Sequence, residues 1–275
     1  MEADNGHWRS LRGDFVKLVT FFYPGDPQMA KFAVLLLAAG KSSRFHDKNY
    51  KKPYAPLADR AVWLHTIDRF TNRSDVAQTI VVIDSEDREM FHTRFGANLA
   101  ILGVDLAIGG QQRSDSVAKG LEKVHDDIDF VAIHDAVRPC LADKWIDDVF
   151  SAAEKSGAAI LATPITSTLK RANPDGSTVA ETVDRQRTWL AQTPQVFRRQ
   201  IIMDAYARRG DEPATDDAQL VERIGQAVTL VAGSPLNIKI TTREDLRMAA
   251  AALKALPKPK LSGPAHPFSG DDMWR

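Results

Sequence analysis

Short apolar runs alternate along this chain with longer amphipathic or charged stretches. Ala33-Val34-Leu35-Leu36-Leu37 is an uninterrupted apolar run, as expected of a strand covered on both faces. Val62 to Phe70 follows with apolar positions Val62, Leu64, Ile67 and Phe70, an imperfect helical face. Thr79–Ile83 is the next buried strand, Ser85–Phe95 a charged helix, and Asp105–Ile108 a short strand. Ser114–Val124 places Val117, Leu121 and Val124 on one helical face. Phe130–Ile133 reads as a strand, Lys144–Lys155 as a helix, and Ala158–Ala162 as a strand. Strand and helix in regular alternation predict an α/β fold: a Rossmann-like, mostly parallel sheet flanked by helices.

Residues 163–195 break this rhythm. They are rich in Thr, Arg and Gly and carry a turn signal at Asn173-Pro174-Asp175-Gly176. The flanks Ser167–Arg171 and Thr178–Val183 have β character, which predicts a protruding hairpin arm. Beyond it come helices near Arg199–Arg208 and Asp216–Ile224, a strand at Val228–Val231 and a last helix over Thr242–Leu256. Residues 1–28 mix Gly, Asp and aromatics without a sustained period, and Met29 leads directly into the first strand. The segment 1–28 reads as an extension, 29–256 as one domain with its arm, and the proline-rich 257–275 as a tail.

Composition narrows the class. The 275 residues carry 36 basic and 36 acidic side chains. That balance argues against a dedicated nucleic-acid binder, which needs a basic excess. No stretch reaches the length of a membrane helix, and charged residues interrupt the N-terminus where a signal peptide would need an apolar core. A single cysteine, Cys140, excludes an intramolecular disulfide framework and a thiolate-rich zinc site; the cytoplasm is the expected compartment.

The chemistry sits at strand ends, where open α/β sheets bind ligands. The first strand ends in Ala38-Ala39-Gly40-Lys41-Ser42, with Arg44, Lys51 and Lys52 following. A lone Ala-Ala-Gly is a tight strand-to-helix turn; three cations so close to it favour phosphate binding. Gly109-Gly110-Gln111-Gln112-Arg113-Ser114-Asp115-Ser116-Val117 again joins strand to helix. It reads equally as an anion- or base-binding helix start and as a turn capped by Ser114. His134-Asp135-Ala136-Val137-Arg138-Pro139 follows the most buried-looking strand. Asp135 there suits a Mg²⁺ ligand, direct or through water, or a loop ion pair, with Arg138 orienting it or holding a phosphate. His134 and Cys140 read as structural. Lys239, between Ile238 and Ile240, points either into the cleft or out to solvent. Cations and hydroxyls on several strand ends, one strategic Asp and no general-base triad suit phosphoryl or nucleotidyl transfer.

Six ordered motifs carry a resemblance: A-A-G-x-x-x-R (Ala38 to Arg44), G-G-x-x-R-x-x-S-V (Gly109 to Val117), H-D-A-x-R-P (His134 to Pro139), T-V-D-R (Thr182 to Arg185), T-P-Q-x-F (Thr193 to Phe197) and N-I-K-I-T (Asn237 to Thr241). Over about residues 31–254 the chain resembles the 2-C-methyl-D-erythritol 4-phosphate cytidylyltransferases. The resemblance implies transfer of a cytidylyl group from CTP to methylerythritol phosphate with release of pyrophosphate, in non-mevalonate isoprenoid synthesis. It implies that Ala38, Ala39 and Gly40 line the nucleotide, with Gly110, Arg113 and Ser116 beside it. Arg44 and Lys52 would stabilise charge at the reacting phosphate, Lys239 would bridge both substrates, and Asp135 would sit by the sugar alcohol and the Mg²⁺-bound phosphates. Thr168, Arg185, Thr193 and Thr215 would contact the alcohol phosphate, with the arm making a homodimer that carries Thr168 and Arg185 to the partner's site. Ribitol-5-phosphate cytidylyltransferases share nearly all these motifs and are the alternative; a non-catalytic nucleotide-sensing protein would have lost Arg44, Lys52, Arg185 and Lys239. Three departures stand out. Ser42 replaces the usual second glycine, Lys51-Lys52-Pro53-Tyr54 replaces P-K-Q-Y, leaving Lys51 or Lys52 as the catalytic lysine, and Gln111 replaces an acidic residue.

Overall fold

The computed structural model describes residues 29–257 except positions 43, 46 and 48. The expected extension over 1–28, and the tail beyond its first residue, lie outside the described residues. In chain order the elements are β1 (Phe32–Leu37), a short 3₁₀ turn (Lys52–Tyr54), β2 (Pro56–Leu57), β3 (Arg60–Ala61), α1 (Val62–Thr71) and β4 (Val76–Ile83). A second 3₁₀ turn (Ser85–Asp87), α2 (Arg88–Leu102), β5 (Asp105–Ile108), α3 (Arg113–Leu121), β6 (Phe130–Asp135), α4 (Asp143–Ser156) and β7 (Ala158–Pro164) continue the alternation. The arm is β8 (Leu169–Ala172) and β9 (Val179–Val183). The chain closes with β10 (Trp189–Arg198), α5 (Arg199–Ala207), α6 (Asp217–Arg223), β11 (Thr229–Ala232) and α7 (Arg243–Ala255).

Seven strands form one sheet in the order β11-β7-β10-β6-β1-β4-β5. β1 lies parallel between β4 and β6, β5 is parallel to β4, and β11 is parallel to β7. Successive residues of β1 bury to opposite faces, as strand geometry requires. Ala33 and Leu35 pack towards α3, α5 and α6, through Val117, Leu121, Ile202 and Leu220. Phe32 and Val34 pack towards α1 and α4, where Phe32 stacks on Phe150 with ring centroids 4.0 Å apart. Two apolar faces on one strand thus hold helices on both sides, and each fully buried large side chain contributes about 1.5–3 kcal/mol.

One expectation is corrected here. The segment 163–195 is not all arm. β10 begins at Trp189 and runs through the sheet interior, antiparallel to both β6 and β7, so the separate two-stranded sheet is only β8–β9. Its buried positions Gln192, Thr193 and Gln195 are polar, and Pro194 sits where the pairing with β7 slips, which hid the strand from a hydrophobicity reading. The structure also adds a miniature hairpin, β2–β3, too short to show a period. No helix among the described residues is long and apolar enough to cross a membrane.

Candidate active site

Sheet register brings the glycine turns and Asp135 together. Leu37 at the end of β1 is paired with Val82 on one side and Asp135 on the other. Beyond those pairs the ladder continues into the turns. The Ala38 amide donates to the Val82 carbonyl at 2.8 Å, the Ala136 amide to Leu37 at 3.0 Å, and the Gly109 amide to Ile83 at 2.8 Å. The turns then pack edge to edge. A Cβ on Gly109 would lie 2.6 Å from Ser116 Oγ and 2.9 Å from Ala39 Cβ, and one on Gly110 would lie 2.3 Å from Asp115 Cβ. Glycine is therefore required at both positions by close approach. Helix α3 begins at Arg113 with Gln112 as its cap residue, and the Asp115 carboxylate accepts from the Gln112 amide at 3.2 Å. The reading of Ser114 as the cap is thus corrected: the cap lies two residues earlier, at Gln112, and Ser114 lies in the first turn of the helix.

A cavity of about 280 Å³ opens over these turns. Ala39, Gly40, Arg44 and Lys52 line it, as do Gly110, Arg113 and Ser116 and also Asp135 and Lys239. Ala38 is buried beneath it. Ser116 is itself buried, and its hydroxyl accepts from the Gly110 amide at 3.2 Å and donates to the Gln112 carbonyl at 3.1 Å; it shapes the turn. A second cavity of about 260 Å³ shares Arg113, Asp135 and Lys239 with the first and adds Thr193 and Thr215. Its lining also includes Gln192, Gln195 and Asp216, none of which the sequence reading selected. Their signal was there for the last: Asp216 directly precedes a helix, where it accepts from the Gln219 amide at 3.0 Å as an N-cap.

Asp135 is the hinge between the cavities. Its side chain is 8% exposed and meets Lys239 Nζ at 2.9 Å, Arg138 Nε at 3.4 Å and Arg113 Nε at 3.7 Å. Burial opposes its ionisation, but Lys239, Arg113 and Arg138 outweigh that and hold the carboxyl well below the usual range. Lys239 reaches it from an irregular segment; the 237–241 backbone is tied down by the Ile240 amide donating to the Val137 carbonyl at 2.9 Å. Arg113 is fixed from behind, its Nη2 donating at 2.8 Å to fully buried Asp217, which also accepts from the Tyr206 hydroxyl at 2.6 Å. Neither Asp217 nor Tyr206 was anticipated. Asn237 was quoted only within a motif, yet its amide donates to the Thr193 carbonyl at 2.9 Å and its own carbonyl accepts from Arg138 at 2.7 Å.

His134 and Thr193 lock the strand end. The Asp135 amide donates to Thr193 Oγ1 at 3.1 Å, Thr193 Oγ1 lies 3.0 Å from His134 Nδ1, and His134 Nε2 lies 3.2 Å from the Arg138 carbonyl. A carbonyl can only accept, so Nε2 carries the hydrogen and Thr193 donates to Nδ1. Burial pushes the His134 pKa down to about 4, so the ring is neutral. Cys140 is buried, and burial pushes its thiol up to about 11.

The two adjacent lysines separate cleanly. Lys51 turns to the acidic 3₁₀ turn, with Nζ 2.7 Å from Asp87. Lys52 lines the cavity, where burial and the charges of Lys239 and Arg44 lower its pKa. Thr168 and Arg185 are not brought to either cavity of this chain. Both are exposed at the arm, where Arg185 donates to the Thr166 carbonyl.

The family model for 2-C-methyl-D-erythritol 4-phosphate cytidylyltransferase matches residues 32–255. The chain belongs to that family. Among its relatives, the enzyme of that name from Rhodopirellula baltica is 44% identical over 235 residues, covering 82% of this chain and 95% of the relative. The one from Pelotomaculum thermopropionicum is 41% identical over 230 residues, covering 82% and 96%. In structure, the Thermus thermophilus 2-C-methyl-D-erythritol 4-phosphate cytidylyltransferase aligns with TM-score 0.67 at 30% identity, over 80% of this chain and 98% of that one. The 4-diphosphocytidyl-2C-methyl-D-erythritol synthase of Anaerococcus prevotii aligns with TM-score 0.68 at 27% identity, over 82% and 99%. The match to this family's fold accords with the mostly parallel, helix-flanked sheet.

Proposed function

We propose that this chain performs the reaction its family is named for, transferring a cytidylyl group from CTP to 2-C-methyl-D-erythritol 4-phosphate in isoprenoid biosynthesis. The observation that carries the reading is the junction of two cavities at Arg113, Asp135 and Lys239. A two-substrate phosphoryl transfer needs two sites meeting at one reacting phosphorus. The first cavity, with Lys41, Arg44, Lys52, Arg113 and Lys239 in its lining, suits a triphosphate. The second, with Thr193, Gln192 and Thr215 beside Arg138, suits a short phosphorylated polyol.

In this reading an oxygen of the alcohol phosphate forms a bond to the α-phosphorus of CTP while the bond to the β-phosphate oxygen breaks and pyrophosphate leaves. The nucleophile is already ionised at neutral pH, so no general base is needed. Catalysis rests on alignment and on cations placed where charge accumulates. Lys52, Arg44 and Lys239 fill that role. Asp135 holds Lys239 and the two arginines in place, and Arg113 is braced by Asp217. Among the described residues no group of three or more His, Cys, Asp or Glu could hold a metal ion. The donor set therefore fits Mg²⁺ only as an ion arriving with the triphosphate. Asp135 would be its protein carboxylate, and the ion would supply neutralisation of phosphate charge. The arm, with Thr168 and Arg185 exposed and Val179 59% exposed, is read as a homodimer contact that presents those residues to a partner's alcohol-phosphate site, in a cytoplasmic enzyme. Pyrophosphate release with CTP, Mg²⁺ and either methylerythritol phosphate or ribitol 5-phosphate tests the reading. Turnover of the ribitol compound alone would overturn it.

A further inference from the structure

Ser42 lies in the left-handed region, at φ +54°, which residues bearing a Cβ adopt only against a steric penalty. A side chain thus stands at a position whose backbone disfavours one. What that side chain touches is specific. Ser42 Oγ accepts from the Lys52 amide at 3.0 Å, ten residues ahead, and its hydroxyl donates to the Gly40 carbonyl at 3.3 Å. Gly40 and Lys52 both line the first cavity, while Ser42 does not. The same 3₁₀ turn that bears Lys52 is fastened at both flanks to one buried carboxylate. Lys51 Nζ lies 2.7 Å from Asp87 Oδ1, and the Tyr54 hydroxyl donates to Asp87 Oδ2 at 3.1 Å.

We propose that Ser42 is a positioning residue: its hydroxyl clamps the backbone of the Lys52 turn to the Ala-Ala-Gly turn, fixing Lys52 relative to the bound triphosphate. The proposal rests on the cytidylyltransferase reading for its catalytic consequence, but not for the clamp itself. Among the described residues, no backbone hydrogen bond joins two pieces of the site that are separate in sequence, a glycine turn after β1 and a proline-containing turn before β2. The serine supplies that link. Pro53 cannot donate, so the Lys52 amide is the donor available there. Burial, then the like charges of Lys239 and Arg44, disfavour the charged form of Lys52, while Asp135 and Asp245 favour it, so the placing of its turn sets how that charge is held.

Ser42→Ala removes the hydroxyl and keeps the strain, whereas Ser42→Gly removes both. The two variants therefore differ in stability but share the lost clamp. Amide exchange at Lys52 is measured by NMR on the full chain, with kcat by pyrophosphate release and CTP affinity by calorimetry. Both variants are expected to exchange the Lys52 amide at least about tenfold faster. Both should also lose about tenfold in kcat with CTP affinity unchanged. Unchanged exchange would refute the clamp whatever the enzyme's substrate. Faster exchange with normal kcat would refute the positioning role, and a parallel loss of CTP affinity would show that Ser42 acts on the nucleotide instead. If the unmutated chain turned over neither alcohol phosphate, the functional reading would fall, while the exchange result would still decide the clamp.

Discussion

Replacing Lys51 and Lys52 separately by alanine asks whether one lysine serves the reaction and its neighbour serves the fold. Lys52 lines the first cavity; burial, with Lys239 and Arg44, lowers its pKa, so its charged form is held at a cost to the fold. Lys52→Ala removes that repulsion and should leave Tm unchanged or slightly higher. Its catalytic cost is that of a lost charge contact in the transition state, about 10²–10³ in kcat, or about 2.7–4 kcal/mol. Lys51 presents the reverse case. Its Nζ pairs at 2.7 Å with Asp87, whose side chain is 8% exposed, while Lys51 itself is 28% exposed. Lys51→Ala leaves that carboxylate with the Tyr54 hydroxyl as its side-chain partner. A buried group losing one partner costs about 1–3 kcal/mol, which for a domain of this size lowers Tm by about 2–12 °C. The kcat of Lys51→Ala should stay within about tenfold of the parent, since its charge points away from the cavity. The assay is pyrophosphate release at saturating CTP and methylerythritol phosphate, with thermal melts on the same preparations. A hundredfold loss in Lys51→Ala alongside near-normal Lys52→Ala would show that the wrong lysine has been placed at the phosphates.

Stability should fall as pH drops from about 6.5 towards 4, because burial pushes His134 down to about 4 from an ordinary 6.5 and the unfolded chain therefore takes up the proton first; the loss is about 3 kcal/mol at most, and an NMR titration showing His134 protonated at pH 6 would refute it. Asp135→Asn leaves Lys239, Arg113 and Arg138 facing an amide, so kcat/KM should fall by about 10² or more, with a loss of about 3–5 kcal/mol in denaturant unfolding; a stable, fully active variant would remove Asp135 from the centre of the site. Arg185→Ala should raise KM for the alcohol phosphate more than for CTP, and equal effects would refute its assignment to the partner's site.

The fold was largely legible because its strands are apolar on both faces. The run Ala33–Leu37 and the pair of helical faces around Val117 and Ile67 each point to burial on their own. β10 was not legible, for a physical reason. Its interior positions Gln192, Thr193 and Gln195 are polar, and they are affordable in the sheet only through distant partners, Gln195 Oε1 accepting from the Asp217 and Ala218 amides at 3.1 Å. A hydrophobicity pattern cannot register a polar residue whose hydrogen bonds close twenty positions away. The same limit divides the candidate site. Arg44, Lys52, Gly110, Arg113, Asp135 and Lys239 stand at strand ends or turns, where residue type alone suggests chemistry, and the fold gathers them round one cavity. Asp217, Tyr206 and Asn237 do not touch that cavity; nothing local marks the first two, and Asn237 stands out only as a member of N-I-K-I-T. They matter because Arg113 needs a second carboxylate behind it and Arg138 a carbonyl beside it. Residues that line the cavity are thus written in local motifs, whereas the aiming of those residues is written in tertiary contacts. Ser42 falls between the two classes. Its departure from glycine is visible in the sequence, but only the folded positions of Gly40 and Lys52 give that departure a purpose.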